Sequence, residues 1–186
     1  MTAARSNADG PPEGGHYVRV GISTCLLGEE VRYDGGHKRT QYLIDAFGSS
    51  VEWVPVCPEV EAGFGTPREA MQLSRVNGVI RLVTVTTARD VTDQMGELIR
   101  RRMQELQLKG LSGYILKANS PSCGLAVKAF DDRGIASEPG RGVFAEALTR
   151  EFPDLPIEDE GRLSDPRLLA EFVERVFAYR RRSGSA

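Results

Sequence analysis

Three cysteines, Cys25, Cys57 and Cys123, are the residues of this chain best suited to do chemistry, and all three sit in turn-forming surroundings. They occur in "STCLLG" (23–28), "PVCPE" (55–59) and "NSPSCG" (119–124), among Ser, Pro and Gly where apolar runs give way to turns. A cysteine that only fills a core would sit among apolar neighbours, anywhere along a strand. Thiolates are nucleophiles and soft metal ligands. The three are 32 and 66 residues apart, so only the tertiary fold can bring them together. An odd count also argues against a disulfide framework.

The elements that would position them can be read from local pattern. "YVRVGIS" (17–23) and "VEWVPVC" (51–57) are β-branched, alternating runs, and each leads directly into its cysteine. Pro55 marks the second of these as irregular or at a sheet edge. A third strand is expected at 78–86 and a fourth at 112–118, the latter leading into Asn119-Ser120-Pro121-Ser122-Cys123. Helical spacing over 92–108, through Met95, Leu98, Ile99, Met103 and Leu106, predicts a helix capped by Asp90 or Thr92. A helix near 141–151 and a short strand at 155–157 follow. A closing helix begins at Pro166, capped by Ser164 or Asp165, with an apolar stripe through Leu168, Leu169, Phe172, Val173, Val176 and Phe177. The fold class is therefore α/β: one domain over 17–181, with a mostly parallel, Rossmann-like sheet flanked by helices. Residues 1–16 read as a disordered tail and 182–186 as a flexible end. In such a sheet, three thiols at strand ends emerge at one carboxyl edge, where open α/β sheets place their ligands.

Bulk properties exclude several classes. A net charge of −2 gives no general attraction for nucleic acid polymers or anionic membranes. No apolar run approaches a membrane span, and the first fifteen residues lack a signal-peptide core. A cytoplasmic protein is expected, with the oligomeric state left open.

Two metal centres suit three thiolates. Structural zinc usually takes four ligands, and neither His16 nor His37 is well supported as the fourth. An iron–sulfur cluster on three cysteines leaves one iron without a protein ligand, and that iron is a Lewis acid with an affinity for sulfur. Spacing alone does not separate the two.

The segments "STCLLGEEVRYDGGHK" (23–38), "PVCPEVEAGFGTPREAMQL" (55–73) and "LKANSPSCG" (116–124) resemble the thiouracil desulfidase family, formerly a domain of unknown function. The likeness spans roughly residues 17–180, with the three motifs in order and one cysteine in each. The resemblance implies a single α/β domain carrying a [4Fe-4S] cluster on Cys25, Cys57 and Cys123, with one open iron. It further implies removal of sulfur from thiolated pyrimidines, thiouracil or 4-thiouridine monophosphate, to give the oxo compound and sulfide. The closing stretch "LSDPRLLAEFVERVFAYRR" resembles longer members in which a second domain follows.

Other residues take roles around that centre. Glu59, in C-P-E, is the expected general base for water. Ser120 and Ser122 are candidates for bonding the substrate ring or relaying a proton, although serines beside Pro121 also make turns. Lys117 would balance negative charge. Asp34 would hold a pyrimidine edge or ribose hydroxyl, and Arg32, His37 and Lys38 a nucleotide phosphate. Arg68 is either an anion ligand or a residue in the first turn of a helix making a structural ion pair. The basic run Arg100-Arg101-Arg102 is expected to be solvated. A non-catalytic sensor or scaffold holding zinc or a cluster is the alternative function. A thiol enzyme is a weaker one, since no histidine is placed to activate a nucleophilic cysteine.

Overall fold

The computed structural model describes residues 18–137 and 139–183. The expected tail at 1–16, Tyr17 at the head of the first strand and the last residues of the chain, 184–186, lie outside the described residues. The elements run β1 (Val18–Ser23), α1 (Gln41–Phe47), β2 (Val51–Val56), α2 (Pro58–Glu61), β3 (Met71–Val76), β4 (Val79–Thr84), α3 (Thr92–Lys109), β5 (Gly113–Leu116), β6 (Ala129–Phe130), α4 (Val143–Glu151), β7 (Ile157–Asp159) and α5 (Pro166–Ser183). A 3₁₀ turn, Thr24–Leu27, follows β1 directly.

β2, β1, β5 and β7 form one sheet in that order, and every pair in it is parallel. Both faces are covered, as a parallel sheet requires. Val18, Val20 and Ile22 of β1 and Ile115 of β5 pack with Leu43 and Phe47 of α1 and Phe172 and Val176 of α5. On the other face, Val54, Val56, Tyr114 and Leu116 pack with Met95, Ile99 and Met103 of α3 and Phe144 and Leu148 of α4. Successive residues of β5 therefore serve opposite layers, which is the period-two geometry of a strand buried on both sides. Pro55 lies in β2 at the sheet edge, and its carbonyl accepts a hydrogen bond from Arg102 at 3.2 Å.

The run at 78–86 does not join this sheet. It forms β4, antiparallel to β3, and β3 pairs in parallel with β6 in a second, three-stranded sheet. The cause is the two-residue turn Asn77-Gly78, whose φ values of 50° and 79° are those of a tight hairpin. That Asn-Gly pair, between the apolar runs of β3 and β4, was the local signal for the hairpin. Leu73, Leu82 and Ala129 bury this small sheet against the α3 layer.

Boundaries also shift. The fourth expected strand is shorter, Gly113–Leu116, so Cys123 is separated from it by a loop and does not follow it directly. The strand expected at 155–157 is Ile157–Asp159. The closing helix continues to Ser183, past the expected limit at 181, and Asp165 caps it by accepting the Arg167 N–H at 2.8 Å. Asp90 likewise accepts the Thr92 N–H at 2.9 Å at the start of α3. Arg102 is not solvated: it pairs with Glu61 and Glu105 as well as with the Pro55 carbonyl.

Gly21 shows how tightly the central strands meet. A Cβ there would lie 2.2 Å from the ring of Tyr114, which is fully buried and has nowhere to move. Gly21→Ala is expected to cost about 1–3 kcal/mol through overpacking, read as a lower denaturant midpoint. An unchanged midpoint would show that Tyr114 can repack.

Candidate active site

β1, β2 and β5 run in the same direction, so their carboxyl ends share one edge. Cys25 lies in the 3₁₀ turn after β1, Cys57 follows β2 and immediately precedes α2, and Cys123 lies in the loop between β5 and β6. All three line one cavity of about 400 Å³, together with Arg32, Glu59, Arg68, Lys117 and Ser120. The hairpin sheet supplies another part of the wall through Ala70 and Met71. Three thiols far apart in sequence are thus brought to one space.

Each cysteine is fixed through its backbone. The Cys25 carbonyl accepts the Gly28 and Lys38 N–H groups at 3.3 and 2.9 Å. The Cys57 N–H donates to Glu61 Oε1 at 3.0 Å, and Arg102 from α3 holds that carboxylate at 3.3 Å. Ser120 Oγ accepts the N–H groups of Ser122 and Cys123 at 3.2 and 3.1 Å, which shapes the turn around Pro121. The Pro121 carbonyl in turn accepts the Val143 N–H and the Ser122 carbonyl those of Phe144 and Ala145, at the start of α4. Gly142 permits this approach, since a Cβ there would lie 2.6 Å from the Ser122 carbonyl oxygen.

The thiols share an electrostatic environment. Burial pushes Cys25 up to about 11, with the charge of Cys57 adding and that of Lys117 opposing. Burial also raises Cys57, against a backbone hydrogen bond and the Arg68 charge. Cys123 is pushed well above the ordinary thiol range by burial and then by Glu59, while a hydrogen bond from Ser23 opposes. Thiols held this way become thiolates when a positive centre displaces their protons. Among the described residues, no three of His, Cys, Asp and Glu converge closely enough to hold a single metal ion. Thiol donors are soft ligands suited to zinc or to an iron–sulfur cluster.

Glu59 is not a surface carboxylate. Its Oε2 accepts Arg68 Nε at 2.8 Å and its Oε1 accepts the Ser122 hydroxyl at 2.9 Å. The side chains of Arg68 and Glu59 are only 6% and 14% exposed, which makes this a buried ion pair. Arg68 follows Pro67 in a loop and not in the first turn of a helix. Its remaining donors reach the carbonyls of Val31 and Gly65 at 2.9 and 2.8 Å. Lys117 is paired with Glu160, which also accepts the Ala118 N–H.

The other sequence candidates lie around or outside this cavity. Arg32 lines it, and Tyr33 beside it carries the Arg32 guanidinium over its ring at 5.6 Å. Asp34 is exposed and held down at about 2 by hydrogen bonds from Arg32 and the Gly36 N–H. Asp34, His37, Lys38 and Ser122 are not among the lining residues, although Ser122 reaches the site through Glu59. His37 Nδ1 accepts the Arg39 N–H, and Lys38 meets the site through its backbone bond to Cys25. Ser23, Asn119 and Glu160 escaped the sequence reading. Ser23 and Asn119 line the cavity, and Glu160 holds Lys117. The left-handed backbone of Asn119, φ 58°, has its only sequence signal in the turn-forming run Asn-Ser-Pro.

The Arg68–Glu59 pair yields a stability prediction. Arg68→Met should leave a nearly buried carboxylate without its cation and cost about 3 kcal/mol, and adding Glu59→Gln should recover most of that loss. Denaturant unfolding of the two variants measures it; equal stabilities would mean that solvent in the cavity already screens the pair.

The family model of 2-thiouracil desulfurase matches residues 20–160, which contain all three cysteines and the full cavity lining. The uncharacterized protein YbbK of Bacillus subtilis (strain 168) is 35% identical over 112 residues, covering 55% of this chain and 71% of YbbK. Among solved structures, the [4Fe-4S]-dependent thiouracil desulfidase TudS superposes with a TM-score of 0.63 at 30% identity, over 83% of this chain and 98% of TudS. With its cysteines at the shared edge of a parallel sheet and the family model spanning that whole edge, the chain belongs to the 2-thiouracil desulfurase family.

Proposed function

We propose that this protein is a cluster-dependent, non-redox desulfidase that converts a thiolated pyrimidine, thiouracil or 4-thiouridine monophosphate, and water into the oxo compound and sulfide. One observation carries the reading: Cys25, Cys57 and Cys123 line the same cavity as a carboxylate, Glu59, oriented from two sides. The 30% identity to a [4Fe-4S]-dependent desulfidase supports the cofactor.

In this reading Cys25, Cys57 and Cys123 would hold a [4Fe-4S] cluster, which would supply a Lewis acid with affinity for the thione sulfur. The protein does the rest. Glu59 accepts a proton from the water that attacks the ring carbon, and its bonds to Arg68 and Ser122 keep its carboxylate in one orientation. Lys117, at the cavity wall, offsets negative charge that develops as water adds. Arg32, at the cavity wall, favours an anionic substrate or leaving sulfide, whereas the charge of Arg68 is already neutralised by Glu59. Ser120 fixes the Cys123 turn and borders the ring site. In the balanced reaction a C=S bond becomes C=O, the oxygen comes from water, and the two water protons leave with sulfide as H₂S or as HS⁻ and H⁺. No electron is gained or lost.

Anaerobic reconstitution with iron and sulfide, followed by incubation with 2-thiouracil and 4-thiouracil, tests the proposal. Thione absorbance should fall as equal amounts of uracil and sulfide appear. Bound iron without turnover would favour a cluster-holding sensor, and stoichiometric zinc without iron would refute the mechanism. Cys25→Ala, Cys57→Ala and Cys123→Ala should each abolish cluster uptake. Glu59→Gln should retain the cluster but lower kcat by roughly 10²–10⁴-fold; full activity in that variant would assign the base elsewhere.

A further inference from the structure

Tyr33 is an aromatic side chain that the fold does not use for packing. It is 46% exposed and belongs to neither apolar cluster, yet it lines the cysteine cavity. Among the described residues of that lining it is the only aromatic one. Its place is nonetheless fixed. The Tyr33 carbonyl accepts the Arg68 backbone N–H at 2.9 Å, and the Val31 carbonyl accepts the Arg68 guanidinium at 2.9 Å. Arg68 also holds Glu59 at 2.8 Å, so the loop that carries the ring and the proposed base are anchored on one residue. The Arg32 guanidinium lies over the ring, 5.6 Å from its centroid, and is itself held by Asp34 through bonds of 3.2 and 3.0 Å. A guanidinium covers one face of a ring, and the other stays open to a flat ligand.

We infer that Tyr33 is a specificity-determining residue of this site: its ring is the platform on which a thiolated pyrimidine stacks, with Arg32 bracing the opposite face. The inference rests on the desulfidase reading above. Every pyrimidine has a π-face, so stacking accepts a free base and its nucleotide alike. It also selects planar unsaturated rings, because a saturated ring puckers and offers no such face. Covering an exposed aromatic ring with the substrate removes apolar surface from water as well.

The test uses reconstituted full-length protein. Tyr33→Ala should raise KM for 2-thiouracil roughly 5- to 150-fold with kcat and iron content per chain close to wild type, the pattern of lost binding that is equal in ground and transition states. Tyr33→Phe, which keeps the ring, should match wild type. As competing ligands against 2-thiouracil turnover, uracil should inhibit the wild type more strongly than 5,6-dihydrouracil, whose ring is saturated, and Tyr33→Ala should lose that preference. A loop that had merely lost its shape would weaken both ligands equally, so the ratio separates stacking from a structural role. An unchanged KM in Tyr33→Ala, a Tyr33→Phe variant that behaves like Tyr33→Ala, or no advantage of uracil over dihydrouracil in the wild type would each overturn the assignment. A wild-type protein that holds its cluster but leaves 2-thiouracil unchanged would instead overturn the desulfidase reading, and this inference with it.

Discussion

Parallel pairing of β1 with β2 on one side and β5 on the other is the constraint on which the rest of this structure depends. Because the three strands point the same way, the chain leaves the sheet three times at one edge, and each exit carries a cysteine. Parallel neighbours cannot be joined by a tight turn, so the chain must cross back each time. The first crossover is made by α1. The second is far longer and includes α2, the β3–β4 hairpin and α3. That excursion also builds the site, since it delivers Glu59, Arg68, Ala70 and Met71 to the cavity wall.

Charge pairs set inside this frame hold the loops that carry the thiols. Glu61, gripped by Arg102 from α3, anchors the Cys57 N–H. Arg68 bridges Glu59 to the Val31 carbonyl, which joins the loop after Cys25 to the segment after Cys57. Glu160, at the end of β7, fixes Lys117 and the Ala118 N–H where β5 gives way to the Cys123 loop. Buried ion pairs add little net stability compared with apolar packing of similar volume. Their place here is around the cavity, where they define the geometry of loops that apolar side chains would leave free.

The membrane-spanning possibility is addressed directly by the helices: among the described residues, none is long and apolar enough to cross a bilayer. A groove of about 730 Å³ between α4 and α5 is open, rimmed by Arg141, Arg150, Arg175 and Arg182, and shares no residue with the cysteine cavity. Chemistry and void volume are therefore separated on this surface, and the smaller space is the one that holds the reactive groups.

Strands β1, β2 and β5, the long helices α3 and α5 and the turn character around each cysteine were legible in the sequence, because each is written in the period or composition of a few neighbouring residues. The second sheet was not read, although Asn77-Gly78 signals its hairpin, since the apolar run at 78–86 fits a parallel core strand equally well by local pattern. Pairing of Arg68 with Glu59, Arg102 with Glu61 and Lys117 with Glu160 was beyond local pattern altogether, since nothing in a charged side chain names its partner. Sequence alone determined that three thiols stand in turns beside strands, a property of short segments. Which polar groups face them, Ser23 and Glu59 among them, was decided only by the register of β1 against β5 and by the crossover between β2 and β5, because contacts across such separations exist only once the sheet has closed.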